Sequence, residues 1–159
     1  MTGADLEVTL TVNGRERSAT IEPRRLLCDL LREDFGLTGI KIACAQGPCG
    51  ACTVQVDGEP VRSCLILAAQ ADGREVRTVE GLAGPGGGLH PLQAAFAAEG
   101  ALQCGFCTPG FLMLLEPLVE LDEPLDDAAL RHAASANLCR CTGYDGIVRA
   151  VRRARERAG

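Results

Sequence analysis

Apolar and polar residues alternate from the start of the chain. Leu6, Val8, Leu10 and Val12 are separated by mostly polar residues, the period of a half-buried strand. Asn13-Gly14 follows; this pair suits a type I′ hairpin turn, which needs positive φ at both central positions. A return strand is therefore expected from Arg15 to Ile21. Pro23 then opens RRLLCDLLREDF, where Leu26, Leu27, Leu30 and Leu31 form a helical stripe. Cys28 lies at the edge of that stripe, near Phe35, and reads as a small buried hydrophobe. Gly36 and Gly39 end the helix. Further on, Thr53 to Val56 reads as a strand, Asp57-Gly58 as a second hairpin turn and Pro60 to Ser63 as a short return. Leu65 to Ala69 suggests a short helical piece, and Arg74 to Val79 a closing strand. Strands, a helix and more strands make an α+β order over residues 1–80.

The pattern changes after residue 80. The run GLAGPGGGLHP, residues 81–91, holds five glycines and two prolines and is read as a linker. It lacks the Lys-Ser/Thr ending of a phosphate-binding P-loop. His90 beside it is read as a loop residue. Residues 92–159 read as helical. LQAAFAAE forms one helix, ended by Gly100. Thr108 followed by Pro109 resembles a capped helix start, with Phe111, Leu112, Leu114 and Leu115 facing inward. Pro117 lies too deep to be a first-turn residue and predicts a kink or an early end. Asp126 and Asp127 suit the start of a third helix carrying His132 on its surface. The last helix is expected from about Ile147 to Arg157, with Ile147, Val148 and Val151 on its apolar side. Four short helices thus follow a strand-rich first half.

Composition sets limits on what these 159 residues do. Hydrophobic residues make up 47% of the chain, but aromatics are only 3% and Trp is absent; small cores of this kind draw on metals or disulfides for stability. The N-terminus has no basic start leading into an apolar run, so no signal peptide is expected. No stretch has the length of a membrane span. The expectation is a soluble, cytoplasmic chain in which thiols stay reduced. The formal charge of −5 argues against general nucleic-acid binding. VRAVRRARERAG is the basic run, read as a solvated helix face or a docking surface.

Eight of the nine cysteines form two sets of four. The first is Cys44, Cys49, Cys52 and Cys64, in ACAQGPCGACTVQVDGEPVRSC. Its C-x4-C-x2-C order with a later fourth cysteine is that of plant-type [2Fe–2S] sites. A loop that wraps a cluster turns tightly and aims N–H groups at sulfur, which favours Gly47, Gly50 and Ala51. The eleven residues before Cys64 span the Asp57-Gly58 hairpin, which would return Cys64 to the side of Cys52. The second set pairs Cys104 and Cys107 of QCGFCTPG with Cys139 and Cys141 of NLCRCTGY, separated by 31 residues. Both pairs are expected at helix starts, where unpaired N–H groups and the dipole favour a dianionic cluster. Disulfides are disfavoured in a cytoplasmic chain. Structural zinc remains open on spacing, since two all-thiolate sets also describe a zinc protein. The x4-x2 triplet and the C-x-C pair fit [2Fe–2S] better, and the usual [4Fe–4S] run of x2-x2-x3 is missing.

The three motifs together, CAQGPCGACTV with Cys64, QCGFCTPG and NLCRCTGY, resemble the small iron–sulfur subunit of the molybdenum hydroxylases. This is the xanthine dehydrogenase, aldehyde oxidoreductase and carbon monoxide dehydrogenase family. The resemblance runs from the first hairpin to Ala154. It implies a β-grasp, plant-type ferredoxin-like domain (1–80), a linker (81–91) and an all-α four-helix domain (92–159). The first would hold a [2Fe–2S] cluster on Cys44, Cys49, Cys52 and Cys64, the second another on Cys104, Cys107, Cys139 and Cys141. The resemblance further implies a large subunit with molybdopterin beside the helical domain, and a medium subunit with FAD beside the ferredoxin-like one. Gln103 matches the glutamine that contacts the pterin, and Cys141 the ligand nearest it. Because fused relatives continue into a flavin domain where this chain stops, it resembles the separate subunit of a three-chain enzyme, an (αβγ)2 assembly. Such a chain is an electron-transfer subunit of an oxidoreductase and has no substrate-converting site of its own. A free-standing two-cluster ferredoxin and a zinc-bound interaction module are the alternatives.

The chain departs from the family pattern at two alanines and at Pro117, in the helix after Thr108. Ala43 and Ala136 stand where glycines are usual, and either would strain its loop if the backbone there had positive φ.

Overall fold

The computed structural model describes residues 4–84 and 86–158. Two strands, β1 (Leu6–Val12) and β2 (Arg15–Ile21), form the first hairpin, with Leu6 opposite Ile21 and Val12 opposite Arg15. Asn13 and Gly14 have φ of 51° and 75°, as a type I′ turn requires. Alternation sends Val8, Leu10 and Val12 into the core. The turn has a second use: the Asn13 side chain donates to Thr78 Oγ1 (2.9 Å) and accepts from the Thr78 N–H (2.8 Å).

The expected helix at Pro23 starts later. Leu26 is extended and bridges Leu67, with the Leu27 N–H donating to the Ile66 carbonyl and the Ala68 N–H to that of Arg25, each at 2.8 Å. Those tertiary bonds take the backbone groups that a first helical turn would have used. A short helix α1 (Leu27–Asp29) then widens into a π-turn (Leu30–Asp34). Leu27, Cys28, Leu30 and Leu31 are buried. The same bridge splits the helical piece expected at Leu65 to Ala69 into two 3-10 turns, Ser63–Leu65 and Ala68–Ala71.

Strand β3 (Thr53–Val56) turns through Asp57 and Gly58 into β4 (Glu59–Arg62), and β5 (Glu75–Arg77) completes the sheet. The strand order is β2-β1-β5-β3-β4. β1 and β5 are parallel and the other pairs antiparallel. β5 is shorter than the expected Arg74 to Val79, because Val79–Gly81 coils into a 3-10 turn.

Four helices follow: α2 (Pro91–Ala98), α3 (Thr108–Leu115), α4 (Asp127–Ser135) and α5 (Asp145–Ala158). They enclose a second core that includes Leu92, Phe96, Phe111, Leu115, Leu130, Ile147 and Val151. His90 is a helix cap, not a plain loop residue; its Nδ1 accepts from the Leu92 N–H. Asp126 caps α4 by accepting from the Ala129 N–H at 2.8 Å. Pro117 ends α3 early, in a 3-10 turn over Glu116–Leu118. Met113 is buried and Leu114 only half-buried, because α3 packs on both β3 and the helical core. The basic run is tied into its own chain. Arg149 and Arg153 pair with Glu99 at 3.1 and 2.7 Å, and Arg155 donates to the carbonyls of Leu118, Leu121 and Glu123.

The two halves share a buried carboxylate. Glu116, 3% exposed, accepts from Gln55 of β3 at 2.8 Å and from Arg77 of β5 at 2.7 Å. Buried charge is tolerated when it is paired and hydrogen-bonded. Among the described residues, no helix is long and apolar enough to cross a membrane.

Candidate metal centres

The loop before β3 carries three of the first four thiols. It turns through three left-handed residues, Ala45 (φ 52°), Gly47 (φ 95°) and Gly50 (φ 68°). A Cβ on Gly47 would stand 2.6 Å from Leu65 Cδ1, the far end of an exposed flexible side chain, so it is the φ that calls for glycine there. The strain contemplated at Ala43 and Ala136 is absent. Neither has positive φ, and Ala136 is helical at φ −68°, ψ −17°. The alanine that carries left-handed backbone is Ala45.

These turns aim amide hydrogens at sulfur. The N–H of Gln46 faces Cys44 Sγ at 3.4 Å. That contact, then the Cys49 thiol and the N–H groups of Cys49 and Gly47, bring the Cys44 thiol down to about 7. Cys64 lies just past β4, where the hairpin delivers it to Cys52; Ser63 Oγ donates to the Cys52 carbonyl at 2.7 Å. Burial and the adjoining Cys52 thiol push Cys64 up to about 11.

In the second set, Cys107 rather than Thr108 is the N-cap of α3, and Thr108 is the first helical residue. The other pair departs from expectation. Helix α5 starts only at Asp145, so Cys141 is four positions short of it and gains no first-turn amides. A turn at Cys139 replaces them: Thr142 Oγ1 lies 3.1 Å from Cys139 Sγ, and the N–H groups of Cys141 and Thr142 donate to it at 3.4 Å. Burial opposes ionisation of Cys139, yet these donors hold its thiol below the usual value. Burial, then contact with Cys139, pushes Cys107 up to about 12. The sulfurs of Cys104 and Cys141 are 3.6 Å apart, and both residues are exposed. Gln103 stands beside them, its Nε2 donating to the Cys141 carbonyl at 2.9 Å.

Within each set the thiols act on one another: Cys49 on Cys44, Cys52 and Cys44 on Cys64, Cys139 and Cys104 on Cys107, with the sulfurs of Cys104 and Cys141 in direct contact. Among the described residues, no three thiol sulfurs lie mutually within 4.8 Å. A tetrahedral zinc with bonds of about 2.3 Å brings four sulfurs to about 3.8 Å from one another. A [2Fe–2S] cluster takes two thiolates on each of its two irons and so spreads four sulfurs more widely. Among the described residues, none of the nine cysteines is in a disulfide. The ninth, Cys28, is a core residue, 1% exposed and pushed up to about 12 by burial and then by Asp29.

A different trio, His90, Glu116 and Glu120, does bring three donor atoms within 4.8 Å. Glu116 is already engaged by Arg77 and Gln55, so this is a structural hub.

The two thiol loops meet. Leu138 donates its N–H to the Cys49 carbonyl at 2.9 Å. The fully buried Asn137 donates to the Gly50 carbonyl at 3.2 Å. Tyr144, at φ 70°, accepts from the Cys139 N–H at 2.8 Å and donates to the Asn137 carbonyl at 3.0 Å. Its ring packs edge-on against Phe111, 6.0 Å between centroids. Sequence reasoning missed Arg62, Asn137, Thr142 and Tyr144 as supports of the thiol loops. Tyr144 had a usable signal: it is the sole tyrosine of an aromatic-poor chain, three residues after Cys141.

Comparison with known proteins agrees with two centres. Residues 10–83 match the family model of the 2Fe-2S iron-sulfur cluster binding domain, and residues 78–152 that of the [2Fe-2S] binding domain. The chain is 53% identical over 145 residues to the 6-hydroxypseudooxynicotine dehydrogenase complex subunit beta of Paenarthrobacter nicotinovorans, covering 91% of this chain and 90% of that one. It is 46% identical over 148 residues to the xanthine dehydrogenase iron-sulfur-binding subunit of Escherichia coli O157:H7, covering 92% of each. Among solved structures, it superimposes on a chain of quinoline 2-oxidoreductase from Pseudomonas putida 86 with a TM-score of 0.92. The two are 45% identical, over 98% of this chain and 97% of that one.

Proposed function

The chain belongs to the small iron–sulfur subunits of the molybdenum hydroxylases, and from that premise we propose which residues make it an electron carrier. Cys44, Cys49, Cys52 and Cys64 hold one [2Fe–2S] cluster in a β-grasp, ferredoxin-like domain (1–80). Cys104, Cys107, Cys139 and Cys141 hold the other in a four-helix domain (92–159), with 81–91 linking them. Each cluster, when bound, supplies one-electron redox chemistry that needs no proton from the chain.

The remaining work is done by the protein itself. Amide hydrogens of Gln46, Cys141 and Thr142 and the Thr142 hydroxyl face sulfur, which stabilises thiolate charge and tunes potential. The Leu138 to Cys49 hydrogen bond joins the loops, so electrons have a short covalent and hydrogen-bonded route between the sets. Cys104 and Cys141 are the exposed thiols, and Gln103 is held against Cys141. That end faces the molybdopterin of a large subunit, with Gln103 and Cys141 contacting the pterin. The other set delivers electrons towards FAD in a medium subunit. The assembly is a cytoplasmic heterotrimer, doubled to (αβγ)2.

The gathering of eight thiols into two sets of four, with backbone amides turned towards sulfur in both, is the observation that carries this reading. Purification of the native protein tests it. About four iron and four sulfide per chain, with two distinguishable EPR signals on reduction, are expected, together with co-purifying molybdenum and flavin subunits. Zinc in place of iron would overturn the cluster assignment. A cluster-loaded chain that purifies alone would make it a free-standing ferredoxin.

A further inference from the structure

One side chain reaches both thiol loops. Arg62 ends β4, two residues before Cys64, and its guanidinium donates in three directions. Nε reaches the Gly47 carbonyl at 3.3 Å, Nη1 reaches Thr53 Oγ1 at 2.7 Å, and Nη2 reaches the Ala136 carbonyl at 2.7 Å. Gly47 lies between Cys44 and Cys49, at a left-handed turn (φ 95°) of the first thiol loop. Thr53 is fixed as an acceptor because its hydroxyl donates to the Gly50 carbonyl at 2.6 Å. Ala136 precedes Asn137, whose amide rests on Gly50. A planar guanidinium can serve three fixed acceptors at once, whereas a lysine ammonium is a compact point charge on a flexible stem.

We infer that Arg62 is a positioning residue for electron passage between the two centres, fixing the spacing of their loops and placing a permanent positive charge between them. This rests on the cluster assignment proposed above. A reduced cluster is more negative than an oxidised one, so a nearby cation favours reduction and its removal lowers the potential. Loss of the three-way fork loosens the loops and changes the magnetic interaction between the reduced centres, which depends on their separation.

The test uses the complete complex carrying the native chain, Arg62→Lys or Arg62→Met. Iron and sulfide are measured first; a native chain without them would sink the cluster assignment and say so separately. In Arg62→Met, the potential of the Cys44 set is expected to fall and the EPR splitting between the two centres to change. Arg62→Lys should keep the potential near native while the splitting still changes. Native potential and native splitting in Arg62→Met would overturn the inference. A fall in Arg62→Lys as large as in Arg62→Met would overturn its charge component. If Arg62→Met does not assemble, the splitting of Arg62→Lys decides, and a native value there overturns the positioning role.

Discussion

Gly50 and Asn137, 87 residues apart, are in such close contact that a Cβ on Gly50 would fall inside the van der Waals envelope of Asn137 Oδ1. The contact closes one loop upon the other. Gly50 also has φ +68°, a conformation that costs alanine strain. Gly50→Ala should destabilise the chain by about 2–4 kcal/mol from overpacking and strain together. Thermal unfolding of the loaded chain measures this, and a native midpoint would contradict it.

On the proposed assignment, Cys104→Ala removes one of two EPR signals on reduction and spares the other. Loss of both would mean that the two halves do not load independently. Cys28→Ala is the contrast. Its thiol is buried among Leu27, Leu30 and Leu31, so both signals should survive with a stability cost of about 1–2 kcal/mol.

Tyr144→Phe keeps the ring against Phe111 but removes the hydroxyl that accepts from Cys139 and donates to Asn137. The unpaired backbone groups should cost about 1–3 kcal/mol. The signal of the Cys104 set should be lost at lower temperature than in the native chain, while the Cys44 set changes little. Equal loss from both sets would place the role of Tyr144 elsewhere.

In the metal-free chain, thiol reactivity should follow burial and local donors. Cys44, lowered to about 7, is largely thiolate at pH 8, whereas Cys107 and Cys28, raised to about 12, are not. Alkylation followed by peptide mass analysis should label Cys44 far ahead of Cys107 and Cys28. The sign for stability follows from linkage. The depressed Cys44 contributes stability above its unfolded value near 9, which is lost as pH falls through about 7. The raised Cys107 contributes below 9, and that is lost as pH climbs towards 12. Cys107 labelled as fast as Cys44 would contradict this order.

Glu116→Ala leaves Gln55 buried without its partner and Arg77 without its ion pair. Arg77 is partly solvated, so the cost should sit near the low end for a broken buried pair, about 2–3 kcal/mol. Denaturant unfolding measures it. Both clusters should still load, because the hub touches neither set of thiols.

Much of the local structure was legible in the chain. Alternation placed β1 and β2, Asn13-Gly14 and Asp57-Gly58 placed both hairpin turns, and Asp126 and Pro117 marked a helix start and a helix end. These features depend on backbone conformation and on neighbours a few residues away. The start of α1 was not legible, since the Leu26 to Leu67 bridge spans 41 residues. Nor was the burial of Met113, which the inward-facing set of Phe111, Leu112, Leu114 and Leu115 left out.

The cysteine spacings by themselves determined that two sets of four thiols exist and left iron and zinc both open. Only the tertiary structure decided that backbone amides turn towards sulfur at Cys44 and Cys139. It also moved the start of α5 away from Cys141, so side-chain and turn donors at Cys139 replace the expected helix end. The meeting of Gly50 with Asn137, and of Arg62 with Gly47 and Ala136, has no local signature. Such contacts depend on how the two cores dock, and a chain encodes that only through the complete set of its packed surfaces.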